Sequence, residues 1–190
     1  MKKDLNDLPP EKLGKLFPVV ISEYDPSWKG LFIEEKASLL KAVGGDHIVR
    51  LEHIGSTAVP GLCAKPTIDI LMEIKDRTDT DLIAGRLKAI GYHLIPRPEN
   101  PPPHMMFAKG YSDKGYAGQA YHVHVRYKGD WDEPLFRDYL IDHLETAREY
   151  GLLKRRLARQ FPNDREKYTE AKTEFILRIM RLARVGTMRG

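Results

Sequence analysis

The segment TIDILMEI, at residues 67–74, carries an aspartate at a position where an apolar residue would be less costly to bury. Alternate residues of a strand face opposite sides, so four apolar side chains share one face and Asp69 shares the other with Leu71. A buried carboxylate is unfavourable by several kcal/mol unless it is paired or binds a cation. Asp69 is therefore either half of a structural salt bridge, for example with Lys65 or Arg126, or a residue that holds a ligand.

A glycine turn with two hydroxyl side chains precedes that strand. Gly55, Ser56 and Thr57 follow an apolar, strand-like run, and the backbone N–H groups and serine hydroxyl of such a turn can bind a phosphate. Asp69 comes 13 residues after Ser56. This layout can hold a phosphate chain against a metal ion, because the turn binds phosphates and the carboxylate binds the cation. Ser56 and Asp69 are thus the candidate catalytic residues.

Two histidines share one face of a further predicted strand, AYHVHVRY at residues 120–127. His122 and His124 lie on that face with Arg126, and His53 is a candidate fourth contributor. The candidate cofactor is a divalent metal, Mg, Mn or Zn. Two imidazoles beside Asp69 would suit Zn, Mn, Fe or Ni better than Mg, which prefers oxygen ligands. The alternative is that the histidines face solvent or are hydrogen-bonded and bind no metal.

The elements that must position these residues follow a mixed α/β pattern up to Pro134 and a helical pattern after it. Strands are predicted at residues 18–22, 48–54, 67–74, 104–109 and 120–127, and helices at 28–43 and 81–90. The proline-rich stretch 96–103 lacks backbone donors and is predicted to be an extended loop bordering the site. Two or three helices then pack back on the sheet, and Tyr168 and Lys172 share one face of the last of them.

The composition predicts one compact unit. The chain has 190 residues, 42% hydrophobic and 31% charged, and its single cysteine, Cys63, excludes an intrachain disulfide framework and is expected in the core. No apolar run approaches the roughly 20 residues of a membrane span, and the charged start does not fit a signal peptide. We therefore expect a soluble, cytoplasmic protein that does not contact a membrane.

Positive charge is concentrated in the last third of the chain. The net charge is +4, and residues 137–190 carry thirteen Lys and Arg against eight Asp and Glu. A solvated helix surface and an anionic partner explain this balance equally well. The basic runs lack the interleaved aromatic residues of a nucleic-acid platform, so a small phosphate ligand fits better than nucleic acid. Lys65, at the mouth of the Asp69 strand, could neutralise such a phosphate.

The central motif HIGSTAVPGLCAKPTIDIL, at residues 53–71, resembles the GrpB family, which is usually grouped with the polymerase-beta-type nucleotidyltransferases. The likeness extends over roughly residues 18–184 and includes Tyr24-Asp25-Pro26, Trp28, HVHV at 122–125, FRDYL at 136–140, Lys154, Tyr168 and Lys172. It implies a nucleotidyltransferase-like fold with the phosphate turn at Gly55 and Ser56. One departure is that Thr67 and Leu71 stand where such enzymes usually carry a second strand acid, so the usual two-metal cage is incomplete.

These patterns predict an N-terminal extension (1–17), a nucleotidyltransferase-like α/β domain (18–134) and C-terminal helices packed on it (135–190). The candidate metal ligands are Asp69, His122 and His124. The candidate phosphate- or substrate-binding residues are Gly55, Ser56, Thr57, Lys65, Arg126, Arg137, Lys154, Tyr168 and Lys172. The favoured function is a nucleotide-binding enzyme, a nucleotidyltransferase. The alternatives are a binding or regulatory module that has lost catalysis and, less favoured, a His/Asp metal-dependent hydrolase.

Overall fold

A mixed five-stranded sheet forms the centre of the part of the chain that the computed structural model describes, residues 5–96, 100 and 103–187. Its strands are β1 (Ile48–Ile54), β2 (Thr67–Ile74), β3 (His93–Ile95), β4 (Met105–Ser112) and β5 (Gly115–Tyr127). The spatial order is β1-β2-β5-β4-β3; β2 and β5 are parallel, and the other neighbours are antiparallel. The mixed α/β fold class predicted from the sequence is confirmed.

Helices flank this sheet and follow it. They are α1 (Pro10–Leu16), α2 (Ser27–Val43), α3 (Thr80–Ala89), α4 (Asp132–Asp142), α5 (Leu144–Gln160), α6 (Arg165–Glu170) and α7 (Thr173–Thr187). Short 3-10 turns lie at Leu5–Asp7 and Ser56–Ala58. The α3 helix begins as its sequence predicts, because the Asp79 side chain accepts hydrogen bonds from two free N–H groups of the first turn. None of the described helices has the length and apolar character needed to cross a bilayer.

The apolar side chains of β2 pack on one face of the sheet against α2 and α3. Ile68 and Ile70 are fully buried there with Leu39 of α2 and with Ile83 and Leu87 of α3. The C-terminal helices form a second cluster on the segment that follows β1; its members are Val59, Leu62, Leu140, Ala147, Tyr150, Phe175 and Ile179. The opposite face of β2 and β5 is left to carry polar side chains, and this is the face of Asp69.

The strand predicted at residues 18–22 is wrong. Its pairing is one isolated bridge, between Ser22 and Ala64. Pro18 has no N–H to donate, and the Val19 N–H donates instead to the carbonyl of Pro162, in the turn after α5. The segment therefore connects the sheet domain to the C-terminal helices rather than adding a strand, while β3, which is only three residues long, was not predicted.

The single last helix is also wrong, because the chain turns between α6 and α7. Tyr168, in α6, packs with Val19 and Leu157, whereas Phe175 and Ile179, in α7, belong to the cluster on the segment after β1. The helical spacing of the apolar residues Tyr168, Phe175 and Ile179 predicts one continuous helix, but their two separate packing sites override it. Tyr168 and the turn residue Lys172 do not share a helix face, although their side chains still meet.

Residues 5–17, expected as a plain extension, contain α1 and are called the N-terminal strap below. The Asn6 side chain donates to the carbonyl of Leu94 (3.1 Å) at the β3 edge, and Gly14 packs directly against the backbone of Asn163. Phe17 ends the strap among aromatic side chains of the β4–β5 hairpin. The predicted proline-rich loop falls largely on residues 97–99 and 101–102, outside the described part of the chain.

Candidate functional site

A cleft of about 1530 Å³ lies over the polar face of β2 and β5. The turn after β1, the C-terminal helices and the N-terminal strap form its walls. Ten of the sequence-predicted site residues line it: Gly55, Ser56, Thr57, Lys65, Asp69, His122, His124, Lys154, Tyr168 and Lys172. The fold therefore brings together residues that lie more than a hundred positions apart in the sequence.

Asp69 and the two histidines meet because β2 and β5 run parallel with Asp69 opposite His122. Asp69 Oδ1 lies 3.2 Å from Nδ1 of His122 and 3.5 Å from Nε2 of His124. One ligand atom from each residue can be chosen so that all three lie within 4.8 Å of one another. Neighbouring strands in register thus produce a compact group of one carboxylate and two imidazoles.

The protonation states of this cluster suit a cation. Burial by itself would raise the pKa of Asp69, but the interactions with His122 and His124 outweigh it and hold that pKa well below its usual range. Burial lowers the pKa of His122 by more than the neighbouring carboxylate raises it. An ionised carboxylate therefore faces a neutral imidazole, which is the state in which both groups bind metals.

The donor set fits a transition metal better than magnesium. Two imidazole nitrogens and one carboxylate oxygen match three-ligand catalytic zinc sites, in which a further position stays open for water or substrate. His53 is not part of the group: burial lowers its pKa to about 4, its ring stacks on Phe32, and its Nε2 lies 2.9 Å from the hydroxyl of Thr57. Glu73, further along β2, is paired with Arg50 at 2.6 Å.

The glycine turn lies directly against Asp69. Gly55 has a φ of 71°, and a Cβ atom there would lie 2.6 Å from Asp69 Oδ2, so glycine is needed for both conformation and space. Thr57 is buried, and its hydroxyl donates to the Thr67 carbonyl, which ties the turn to β2. Ser56 lines the cleft at the start of the 3-10 turn.

Three lysines surround this centre without carboxylate partners within 4.0 Å among the described residues. Lys65 and Lys172 lie over the ring of Tyr168, at 5.4 and 4.5 Å from its centroid. Lys154 lies 4.7 Å from the Tyr150 ring centroid and donates to the carbonyl of Cys63. Burial lowers the pKa of Lys65 to about 7, of Lys172 to about 8 and of Lys154 to about 7. Neighbouring cations lower the pKa values of Lys65 and Lys154 further.

Arg126 and Arg137 lie apart from these residues and do not line the cleft. Arg126 donates to the carbonyls of Met105 and Val125 and lies 3.7 Å from Glu133. Arg137 donates to Glu52, to the carbonyl of His53 and to Asp138. Neither Arg126 nor Lys65 forms the salt bridge with Asp69 that the sequence left open, because the described partners of Asp69 are the two histidines.

Tyr111 is a site residue that sequence reasoning missed. Its hydroxyl lies 2.9 Å from His122 Nε2, and the two rings stack at 11° with centroids 5.7 Å apart. The predicted strand stopped at Lys109, but β4 continues through an irregularity at Gly110, whose φ is 88°. Such a bulge redirects the next side chain, and a glycine within a strand-like run was the available signal.

The fold and site define an α/β protein with a mixed sheet and a His-His-Asp cluster at the floor of a cleft that Lys65, Lys154 and Lys172 also line. The chain belongs to the GrpB family, whose model, described as GrpB protein, matches residues 18–182. It is 40% identical over 165 residues to the UPF0157 protein PA4798 of Pseudomonas aeruginosa, a match that covers 86% of this chain and 66% of that protein. The chain thus spans slightly less than two thirds of that relative.

Solved structures agree with the family assignment. The crystal structure of the conserved protein GrpB from Enterococcus faecalis superposes with a TM-score of 0.74 at 32% identity, over 86% of this chain and 96% of that one. Similarity to a nucleotidyltransferase is weak. Cid1, which is described as having RNA terminal uridylyl transferase activity, reaches a TM-score of 0.46 at 19% identity, over 73% of this chain and 43% of that one, too little to support a conclusion.

Proposed function

We propose that the protein binds a nucleotide, or another small ligand that carries phosphate, together with a divalent cation in this cleft. One observation carries the proposal: a cluster suited to a cation and three lysines without carboxylate partners face the same space. The charge of Asp69 acts on both Lys65 and Lys172, so the two groups are electrostatically coupled. A metal-bound phosphate chain satisfies both sets of residues at once.

Each part of the cleft then has a defined task. Asp69, His122 and His124 would hold the cation, which when bound supplies Lewis-acid polarisation of a phosphoryl oxygen. The backbone of the Gly55 turn and the Ser56 hydroxyl bind phosphate oxygens, and the lysine ammonium groups offset their charge. Transfer of a nucleotidyl group to an acceptor is the reaction that this arrangement suits best.

A binding module without turnover is the second candidate, and one observation favours it. The residues two positions before and after Asp69 on β2 are Thr67 and Leu71; the first uses its carbonyl to hold the turn, and the second is fully buried. A second strand carboxylate is therefore missing from β2 at the positions that would share a cation with Asp69. Binding without chemistry needs only the acid that is present.

Thermal unfolding with a panel of ligands tests binding. Zn, Mn and Mg should be added singly and with nucleoside triphosphates, because a ligand at about 100 times its Kd stabilises the folded state by roughly 2.7 kcal/mol. Lys172→Met should lose the nucleotide effect and keep the metal effect. Lys128→Met, at an exposed lysine outside the cleft, is the matched control. Absence of stabilisation by every metal and nucleotide would refute the proposal.

Turnover separates the two candidates. Labelled nucleoside triphosphates should be incubated with the protein, Zn or Mn, and mixtures of candidate acceptors. Transfer of the nucleotidyl group that disappears in Asp69→Ala supports the enzyme. Saturable binding with no released pyrophosphate across all acceptors supports the module.

A further inference from the structure

We infer that Tyr111 is a positioning residue whose hydroxyl occupies Nε2 of His122, so that Nδ1 is the ring nitrogen presented to the cation. The inference rests on the metal site of the proposed function and adds to it a residue outside the ligand set. The two ring nitrogens of His122 have different partners. Nδ1 lies 3.2 Å from Asp69 Oδ1, and Nε2 lies 2.9 Å from the Tyr111 hydroxyl.

The hydroxyl of Tyr111 can serve both tautomers of a neutral His122. Without a cation, Nδ1–H donates to the Asp69 carboxylate, and Nε2 accepts a hydrogen bond from the Tyr111 O–H. With a cation on Nδ1, the ring carries its one proton on Nε2, and Nε2–H donates to the Tyr111 oxygen. A hydroxyl makes both states possible by rotation, since it is donor and acceptor, and the number of protons on the ring does not change.

Three side chains hold the Tyr111 ring in the position that this role requires. Phe17 of the N-terminal strap meets it edge-on at 5.0 Å and 75°, and Tyr116 lies 5.5 Å away. The Arg165 guanidinium lies 5.7 Å from the ring centroid. Stacking on His122 fixes a further side. The hydroxyl is therefore directed at Nε2 by packing, as expected of an outer-sphere partner of a metal-binding histidine.

Removal of the hydroxyl alone should weaken the cation site without disturbing the packing. Outer-sphere partners of metal-binding histidines typically contribute 10–100-fold in affinity, so we expect Tyr111→Phe to lower the Zn affinity by roughly that factor. The matched control is Tyr116→Phe. It removes a hydroxyl from the adjacent tyrosine, which is 47% exposed and has no described bond to His122.

The experiment combines Zn titration with NMR of the histidine ring nitrogens in the three full-length proteins. In the wild type, Zn should bind and His122 should carry its proton on Nε2 with Nδ1 bound to the metal. In Tyr111→Phe, the Zn affinity should fall and the Nε2–H signal should broaden or shift, because its acceptor is lost. Tyr116→Phe should match the wild type in both readouts. A purely structural role of the aromatic rings would instead leave both variants like the wild type, since both keep the ring.

Two results overturn the inference, and they differ from each other. If the wild type binds Zn through His122 but Tyr111→Phe keeps the same affinity and the same ring signals, Tyr111 has no positioning role while the metal site stands. If the wild type binds neither Zn nor Mn, the proposed metal site fails, and the role of Tyr111 fails with it.

Discussion

Two carboxylates on the same face of β2 have opposite surroundings. Glu73 is 2% exposed and bonds Arg50 through both carboxylate oxygens, at 2.6 and 3.0 Å. The Asp69 side chain is 29% exposed and meets two histidines, of which His122 is held neutral by burial. Glu73 is thus satisfied within the protein. Asp69 keeps access to the cleft, and its ion-pair partners within 4.0 Å among the described residues are the two histidines rather than a lysine or an arginine.

This contrast predicts opposite effects for two similar substitutions. Asp69→Asn leaves no buried permanent cation unpaired, so the free energy of unfolding should change by much less than the roughly 3–5 kcal/mol typical of a broken buried ion pair. Metal binding should be abolished. Glu73→Gln removes the buried charge that Arg50 contacts through two hydrogen bonds and leaves Arg50 only its bond to Glu52. It should therefore destabilise the protein more than Asp69→Asn does and leave metal binding intact. Chemical denaturation and Zn titration of both variants provide the measurements. Equal destabilisation with retained binding in Asp69→Asn would assign Asp69 a structural role.

The buried lysines predict a specific pH dependence. The pKa of Lys65 falls from its ordinary 10.5 to about 7. Between these values the unfolded chain binds more protons than the folded one, so the unfolding free energy of the ligand-free protein should rise with pH from about 7 towards 10.5. Phosphate binding needs the ammonium form and should weaken over the same window. Lys65→Met should make both curves less steep without removing the slope, because the pKa values of Lys154 and Lys172 are lowered as well. Lys128→Met should leave both curves unchanged, and a stability curve that is flat in the wild type would contradict this.

For individual residues, the sequence is sufficient to predict the position of a side chain where the alternation of one regular strand determines it. Alternation placed Asp69, His122 and His124 on their faces, and the parallel register then brought the three together. Tyr111 could not be placed in the same way, because the irregularity at Gly110 breaks the alternation on which such reasoning depends. Arg126 follows the alternation of β5, but its side chain donates to carbonyl groups and pairs with Glu133 instead of lining the cleft. Tertiary packing, which the strand pattern does not reveal, determines these contacts.

Among the elements, the turn at Ser56–Ala58 has one glycine directly before it and another shortly after it. Gly55 and Gly61 both have positive φ, 71° and 76°. A side chain at Gly55 would meet Asp69, whereas nothing lies within 4 Å of a Cβ at Gly61. Both positions therefore favour glycine because of their positive φ, but only Gly55 also lacks space for a side chain.

Alanine at each glycine should separate these requirements. Positive φ costs an L-residue roughly 1–2 kcal/mol, so Gly61→Ala should lower the unfolding free energy by about that amount and leave ligand binding unchanged. Gly55→Ala should cost more, and it should also weaken metal and phosphate binding, because the turn must move away from Asp69. Denaturation curves and ligand titrations measure both effects. Identical behaviour of the two variants would mean that the close approach of turn and carboxylate is unimportant.

The elements themselves were predictable where local pattern and tertiary packing agree. The helix α2, the cap of α3 and the strands β1 and β2 follow from spacing and capping alone. The break between α6 and α7 does not, because the apolar stripe continues across it and only two distinct packing sites separate its halves. Residues 18–22 carry a strand-like composition, but the Val19 N–H donates to Pro162 in the turn after α5 and the Ser22 N–H donates to Ala64, so no strand ladder forms.

For the whole molecule, the cleft lies between parts that pack in different clusters. Asp69 and the histidines belong to the sheet, whereas Lys154 and Lys172 come from the C-terminal helices. A ligand that contacts both parts must therefore link them. Metal alone should stabilise chiefly the sheet side, since all three of its candidate ligands lie on β2 and β5.

Hydrogen exchange can test this link. Addition of Zn with a nucleoside triphosphate should slow amide exchange in residues 165–173, which contain α6 and the turn of Lys172, whereas Zn alone should leave that segment unchanged. Lys172→Met should remove the slowing and keep the Zn effect on thermal unfolding. Slowing confined to the sheet in the presence of the triphosphate would show that the C-terminal lysines do not contact it.

The N-terminal strap has a practical consequence for ligand screening. The family match begins at residue 18, so a fragment trimmed to the matching range would omit residues 5–17, which form one wall of the cleft. Tyr111 would lose its edge-on contact with Phe17 in such a fragment. Compounds selected for binding to this fragment would fit a wider cleft, in which His122 is less constrained than in the chain that includes the strap. Hits should therefore be ranked on the full-length protein, and those that bind only the fragment identify the volume that the strap occupies.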